Sequence, residues 1–512
     1  MAIRDILACS VMSCVSALCQ TAPPGGAADA GYRVVGSSIT GASGVRPAVA
    51  PGESKLEFQS SDAALVRAFQ WMKSQAMAYA FEGDPVGPWY EAAEPGREAF
   101  CMRDTAHQAM GAQALGLARH NKNMLRRFAE NVSDARDWCS FWEIDRHNRP
   151  APVDYENDAE FWFNLPANFD ILDACYRMYV WTGDLDYVND PVFLNFYDRT
   201  VTDYVERWGL GLEEVMKRPR LMNVRGMIDP GKKFQSARGI PGYDEGDHKY
   251  VLGVDVLATQ YAAYLAYAYI QEARRNVDQA RIYLKKAAEV RTFLNTTWWN
   301  AREQHFYLQL DQDHQLEGRG GAILLARDAV EDGPKMKSAL QETGRSIEVL
   351  YRYGDPDSGY DRMLDAALNP RSRREYPEVP FSWVGALVNG TMGVTLEADS
   401  PLQSAISGYW VAAAIKTVPG LGTKVGWAEL RNLPVRSNEI TVRHEGIRKT
   451  VLTNQRGPAI IWKAAFPGSF ETLLVNGRPA KAQSTRGPLD RVTSSVRVTV
   501  GAGGTVTVEV PK

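Results

Sequence analysis

Residues 250–270 read YVLGVDVLATQYAAYLAYAYI, a helix-length run that is apolar almost all the way round. A surface helix shows one apolar stripe, so a run without a wet face predicts a helix buried on every side. The segment after it is different. Residues 277–296 place Ile282, Tyr283, Ala287, Val290 and Leu294 on one stripe, with Lys285, Lys286, Glu289 and Arg291 elsewhere. That pattern predicts a helix with one face in water. The alternation of a buried and a half-buried helix recurs at 104–119 then 121–132, and at 382–395 then 401–416. A repeat of such hairpins is what a double ring of helices requires, the inner helices sheltered by the outer ones.

Working outward, Ser61-Asp62 caps a run in which Leu65, Phe69, Met72, Ala76 and Tyr79 recur at helical spacing. Further helices are expected at 161–182, 190–207 and 334–351. After about Glu429 the texture changes to short β-rich runs at 439–444, 449–453, 459–462, 472–475 and 496–510, separated by Gly, Pro and Asn-Gly turns, among them Asn476-Gly477. These predict a small β-sandwich or meander. At the other end, residues 6–18 form a short apolar run behind Arg4, too short for a membrane span and suited to a signal-peptide core. Val11-Met12-Ser13-Cys14 also resembles a lipoprotein cleavage box. The expected organisation is a signal peptide at 1–30, a linker or N-terminal extension at 31–57, a helical catalytic domain at 58–428 and a β-domain at 429–512.

Composition narrows the function classes. A formal charge of −3 leaves no global basic field, which argues against nucleic acid or a membrane surface as partner. Thirteen Trp and 22 Tyr suit sugar stacking as well as packing. Cys101, Cys139 and Cys175, the cysteines beyond the leader, have no metal spacing and read as buried thiols. No cofactor fingerprint or metal set is recognisable.

Four motifs carry a family resemblance: Thr182-Gly183-Asp184-Leu185 closing a helix, Thr297-Trp298-Trp299-Asn300 followed by His305-Phe306-Tyr307, the stretch from Gly96 to Asp104, and Glu378-Val379-Pro380-Phe381-Ser382-Trp383. Together with the layout, over perhaps 450 residues, the chain resembles a six-hairpin, (α/α)6-barrel glycosidase of the bacterial α-L-rhamnosidase-like type. The resemblance implies a mainly α fold, an (α/α)6 barrel (six-hairpin toroid) followed by a small C-terminal β-sandwich domain. Of the Arg-Asp-Glu triplet usual in rhamnosidases only Arg103-Asp104 is present, followed by Thr105.

Glycosidic hydrolysis needs two carboxyl groups flanking the scissile bond. In such a barrel the loops entering the inner helices line one mouth, and four acid-bearing segments precede apolar helices. The first runs from Trp89-Tyr90 through Arg97-Glu98 to Arg103-Asp104, with His107 just beyond. Trp89 and Tyr90 suit a sugar face, the arginines suit hydroxyls or a carboxylate, and Asp104 suits either a catalytic acid or an N-cap. The second is Asp154 to Trp162, whose alternating acids suit helix capping or calcium, with Trp162 as a subsite wall. The third packs Asp244, Glu245, Asp247 and His248 together, where like-charge repulsion would raise a carboxyl pKa toward that of a general acid. The fourth sets Glu378 beside a proline turn, with Trp383 following.

The leading expectation is therefore an exported, periplasmic or extracellular, exo-acting glycoside hydrolase acting on an oligosaccharide or polysaccharide. Asp104, Glu98, Glu245 and Asp247 are candidate acids and Glu378 the base. Trp89, Tyr90, Trp162 and Trp383 would wall the site, with Arg97, Arg103, His107 and His248 as polar contacts. Rhamnosides and uronides both fit. A polysaccharide lyase using Tyr243, His248 and Arg238, and a glycan-binding protein without catalysis, are the rival readings.

Overall fold

Asp62 accepts hydrogen bonds from the backbone N–H groups of Ala64 (2.7 Å) and Leu65 (3.3 Å), starting α1 (Ala63–Ala78) where the sequence places a cap. The computed structural model to which this helix belongs describes residues 53–512 except 95, 219–237, 246–249, 344–345, 370–375 and 398–412. Before residue 53 it describes three short strands, Arg33–Val35, Ser38–Gly41 and Gly44–Pro47. The expected signal peptide, most of the linker, Asp247, His248 and most of the 401–416 helix lie outside the described residues.

The helices that follow are α2 (Met102–Ala114), α3 (Ala118–Glu130), α4 (Pro166–Thr182), and the short α5 (Asp186–Asn189), α6 (Pro191–Val201) and α7 (Asp203–Arg207). Then come α8 (Val254–Ala273), α9 (Val277–Thr296), α10 (Ala322–Ala326), α11 (Pro334–Thr343), α12 (Ile347–Tyr353), α13 (Pro356–Leu368) and α14 (Glu378–Ala386). Among the described residues, six of them touch in a closed circuit: α2, α4, α8, α10, α12, α14 and back to α2. Behind these lie α3, the broken α5–α7, α9, α11, α13 and finally α1, which packs on α14. This is a six-hairpin toroid, with the N-terminal helix completing the outer ring. The apolar run at 250–270 opens as a strand, Tyr250–Gly253, paired with Gln309–Asp311, and only then becomes α8, an inner helix; its one-faced neighbour α9 is an outer one.

The circuit closes where α2 meets α14. A Cβ on Gly111 would stand 1.8 Å from the Phe381 carbonyl oxygen, and one on Gly385 would stand 3.3 Å from the Gly111 nitrogen. Only glycines allow two backbones this close. At the end of α4, Gly183 takes the left-handed conformation (φ 68°) and returns its N–H to the Tyr179 carbonyl at 2.8 Å.

Several expected helices move. Residues 160–164 are extended, and α4 starts only at Pro166, whose fixed φ suits a first helical turn. The helix expected at 382–395 begins earlier, widens into a π-turn at Leu387–Thr391 and gives way to strand Val394–Glu397. Residues 414–417 are a strand, not the end of a helix.

The C-terminal region forms two sheets. One has five strands in the order Val394–Glu397, Ala414–Thr417, Ile460–Pro467, Val492–Val500, Gln483–Arg486. The other has seven, running from Arg478–Lys481 through Thr472–Val475, Thr505–Glu509, Lys449–Arg456, Asn438–Glu445 and Trp427–Val435 to Glu57–Ser60. The Asn476-Gly477 turn joins two of these strands with both residues at positive φ, as the sequence leads one to expect. Ile440, Val442 and His444 alternate inward along one strand. The sandwich seats against the C-terminal ends of the inner helices: Arg436 donates its backbone N–H to the Trp181 carbonyl at the end of α4 (2.7 Å), and His444 reaches the Met392 carbonyl beyond α14 (3.0 Å). One end of the ring is thereby closed. Among the described residues, no helix is long and apolar enough to cross a membrane.

Candidate active site at the N-terminal end of the inner helices

The opposite end collects the N-terminal turns of the inner helices. There α2 supplies Arg103, Asp104 and His107, α14 opens with Glu378, and the segment before α8 supplies Tyr243 and Glu245. Asp170 lies one turn into α4, and Arg327 just past α10. With the glycine contact between α2 and α14 setting their register, the first turn of α14 lies beside the second turn of α2.

His107 Nδ1 lies 2.7 Å from Glu378 Oε1. Burial lowers the His107 pKa to about 4, so the ring is neutral at ordinary pH. A carboxylate oxygen only accepts, so Nδ1 carries the hydrogen and Nε2 is left as the acceptor. Asp104 is buried beside them, and its Oδ2 accepts from the Tyr376 hydroxyl at 2.8 Å. Burial, and then the charge of Glu378, push its pKa up to about 6 against the pull of Arg103. Arg103 meets Glu245 Oε1 at 3.2 Å and lies 5.4 Å from the centre of the Trp142 ring and 5.5 Å from that of Tyr243. The Tyr243 hydroxyl donates to Asp170 Oδ2 at 2.6 Å, while Arg327 bridges Asp170 and Asp173. Burial and the Asp170 charge hold the Tyr243 phenol far above its usual range. That disfavours Tyr243 as the base a lyase needs.

A further acid stands in the first turn of α8. Asp255 accepts from the backbone N–H groups of Tyr243 (2.5 Å) and Val256 (2.9 Å), yet burial pushes it up to about 7. Cβ atoms on Gly242 and Gly253 would stand 2.9 and 2.3 Å from its Oδ1, so both glycines make room for it. Asp255 fastens the loop that presents Glu245 to the helix behind it.

The sequence expectations are brought together only in part. Asp104, Glu245, Glu378, Arg103 and His107 meet at the mouth. Trp89 and Tyr90 do not: both are fully buried, Trp89 between Phe81 and Phe100 with its Nε1 on Asp84 (2.7 Å), and Tyr90 with its hydroxyl on Asn121 (2.8 Å). Trp162 is likewise buried, donating to Asn164 at 3.1 Å. Trp383 packs on Trp71 of the outer helix α1. Trp89, Tyr90 and Trp162 present no sugar-stacking face, because they are spent on the core, whereas Trp383 is only partly buried. Arg97 and Glu98 lie in a flanking cleft, bonded to Glu143 (3.0 Å) and Arg146 (3.0 Å) respectively. Asp104 is not an N-cap, a place that Cys101 holds. Asp158 pairs with Arg136 (2.5 Å) and Tyr155 (2.7 Å) instead of capping α4. Among the described residues, no three His, Cys, Asp or Glu side chains are grouped to hold a metal ion. Asp170, Asp255, Arg327, Trp142 and Tyr376 escaped the sequence reading, although Asp255 has a signal of its own, as the one charge in an otherwise apolar run.

No family model matches the sequence, and no curated protein matches it. Solved structures do. The α-L-rhamnosidase from Dictyoglumus thermophilum superposes with a TM-score of 0.54 at 12% identity, covering 91% of this chain and 51% of that one. The α-L-rhamnosidase from Aspergillus terreus gives 0.51 at 13% identity, with 88% and 50% covered. The rhamnosidase of Bacillus sp. GL1 gives 0.51 at 11%, with 80% and 41% covered. The likeness is one of fold, a six-hairpin ring with a β-domain. The chain spans about half the length of these structures, or less.

Proposed function

We propose that the protein is an exported glycoside hydrolase, exo-acting on oligosaccharides or polysaccharides, with its active site at the N-terminal end of the inner helices. The observation that carries this reading is the meeting of Asp104 and Glu378 across the α2–α14 contact. One carboxyl is raised to about 6 and the other is fixed by neutral His107 at 2.7 Å. Two acids with environments that separate their roles are what bond cleavage with a donor and a base requires.

In this reading Asp104 gives its proton to the leaving oxygen as the bond from the anomeric carbon breaks. Glu378, oriented by His107, takes a proton from the water that attacks that carbon, giving inversion. Arg103, held by Glu245, faces the sugar hydroxyls. Asp247 and His248, two and three residues after Glu245 in the sequence, stay candidates for acid and polar contact, as do Glu98 and Arg97. The sugar is a rhamnoside or a uronide.

The test is a panel of aryl glycosides, rhamnosides and uronides included, given to the wild type and to Glu245→Gln. Release of aryl alcohol from one class, slowed in the variant and without a new ultraviolet-absorbing double bond in the sugar, supports hydrolysis. New absorbance would replace it with elimination. Binding without any turnover would leave a glycan-binding protein.

A further inference from the structure

Beside the mouth lies a cleft with no role in the chemistry above. It is lined by Arg97, Glu98, Glu143, Arg146 and His147 on one side and by Ala151, Pro152 and Val153 on the other. Its volume is about 220 Å³, below the ~300–1,000 Å³ of drug-sized ligand sites and of the size of a single sugar ring.

The turn that presents Arg97 and Glu98 is built from beneath. Buried Glu91 accepts, through Oε1, the backbone N–H groups of Gly96 (2.9 Å) and Glu98 (3.1 Å). Glu98 is held at φ 52°, a conformation that costs a non-glycine residue about 1 kcal/mol and persists only where the surroundings impose it. Arg97 is anchored by Glu143 (3.0 Å), Asp154 (3.7 Å) and Glu94 (3.1 Å). Glu143 Oε1 and Asp154 Oδ2, both buried, accept no hydrogen bond among the described residues. Burial and the neighbouring Asp154 push the Glu143 carboxyl well up, and Arg97 lies against both acids.

The charges around the cleft decide what it can take. Arg97 is matched by the Glu143–Asp154 pair and Glu94, and Arg146 by Glu98 and Asp84 (2.7 Å), while Asp145 adds a further acid. An anionic ligand would meet excess negative charge. A neutral pyranose fits both walls: its hydroxyl edge meets donors and acceptors on Arg97, Glu98 and Arg146, and its C–H face meets Ala151, Pro152 and Val153, of which Val153 is 43% exposed.

The cleft also adjoins the mouth. Strand Ala99–Cys101 pairs with Glu143–Asp145, setting Cys101 opposite Glu143. Arg103 lies two residues beyond Cys101, with Trp142 against it. We infer that this cleft is a subsite for a neutral glycosyl unit, separate from the carboxyl cluster and placed to hold a second sugar of the substrate. Its purpose rests on the proposed hydrolysis, but its binding does not.

The experiment is saturation-transfer NMR on the full chain carrying Glu378→Gln, which prevents turnover. The probes are methyl α-L-rhamnopyranoside, methyl β-D-glucopyranoside and methyl β-D-glucuronide. The expected result is transfer to a neutral glycoside that falls at least threefold in Arg146→Met and in Glu98→Gln, and stays the same in Lys285→Met, an exposed side chain on the outer helix α9. Both cleft substitutions are at half-exposed side chains, and circular dichroism confirms the fold. A neutral signal that neither cleft substitution changes, no neutral signal at all, or cleft-dependent binding of the glucuronide alone would overturn the assignment. Cleft-dependent binding in a protein whose wild type hydrolyses nothing would sink the hydrolase reading and leave the subsite standing. Hydrolysis of aryl glycosides without such binding would do the reverse.

Discussion

Each end of the ring holds a buried imidazole lowered to about 4, and the two do different things. At the sealed end, His444 is fully buried between the Thr450 hydroxyl (2.8 Å) and the Met392 carbonyl (3.0 Å), two neutral partners that it joins across the seam between sandwich and helices. At the other end, His107 keeps 14% of its side chain exposed and holds a carboxylate, with Asp104, Asp170, Arg103 and Arg327 all contributing to its field. The same titration thus reports cement in one place and a poised site in the other. What separates them is the charge of the partner and the exposure of the ring, not the pKa.

The largest effects come from exchanging the two deletions. His107→Ala should lower turnover about a hundredfold or more by releasing Glu378, with little change in melting temperature. His444→Ala should cost about 2–4 kcal/mol of stability, because it leaves a cavity and two unpaired polar groups, and spare the turnover of the molecules that stay folded. Kinetics and thermal melts on both variants check the pair, and equal behaviour would erase the distinction between the ends. Next in size, Gly111→Ala drives a methyl group into the Phe381 carbonyl. It should cost about 1–3 kcal/mol and lower turnover too, since α2 and α14 carry the two acids.

A smaller effect is expected from pH. If Asp104 is the donor, turnover falls about tenfold per unit above about 6, as its proton is lost. Below about 4, His107 gains a charge beside Glu378 and turnover falls again. Stability has its own signs. His444 and His107, depressed from 6.5, contribute stability that is present above that value and lost as pH falls toward 4. Asp104 and Asp255, raised from 3.8, do the opposite between 3.8 and about 6 or 7. A rate limb near 7 would move the donor role to Asp255. The smallest effect should come from Trp89→Phe. As a core residue it should cost about 1–2 kcal/mol of stability and leave KM unchanged, whereas a raised KM would restore it as a sugar wall.

How much of this was legible in the sequence also differs between the ends. The buried α8, the one-faced α9 and the capped α1 announced themselves by periodicity, and the Asn476-Gly477 turn by its chemistry. Inner helix α10, only five residues long, is too short to show a period. Helix α13 went unread because Ser358 and Gly359 weaken its pattern, although its Asp355-Pro356 start is a good capping signal. At the mouth, the place of Glu378 and Asp104 in the first turns of α14 and α2 is legible, because acids at the start of apolar helices are conspicuous. The burial of Trp89, Tyr90 and Trp162 is not legible, since sequence does not say which face of a strand turns inward. Trp89 and Tyr90 sit on a two-residue strand buried on both faces.

The central claim is that the α2–α14 contact assembles a cleaving pair. It is tested most directly by turnover of the best aryl glycoside in Glu378→Gln, a change that removes the base without altering its size. A loss of about a thousandfold or more in kcat, with an unchanged melting temperature, is the predicted result. A loss of less than tenfold in a folded variant would contradict the account.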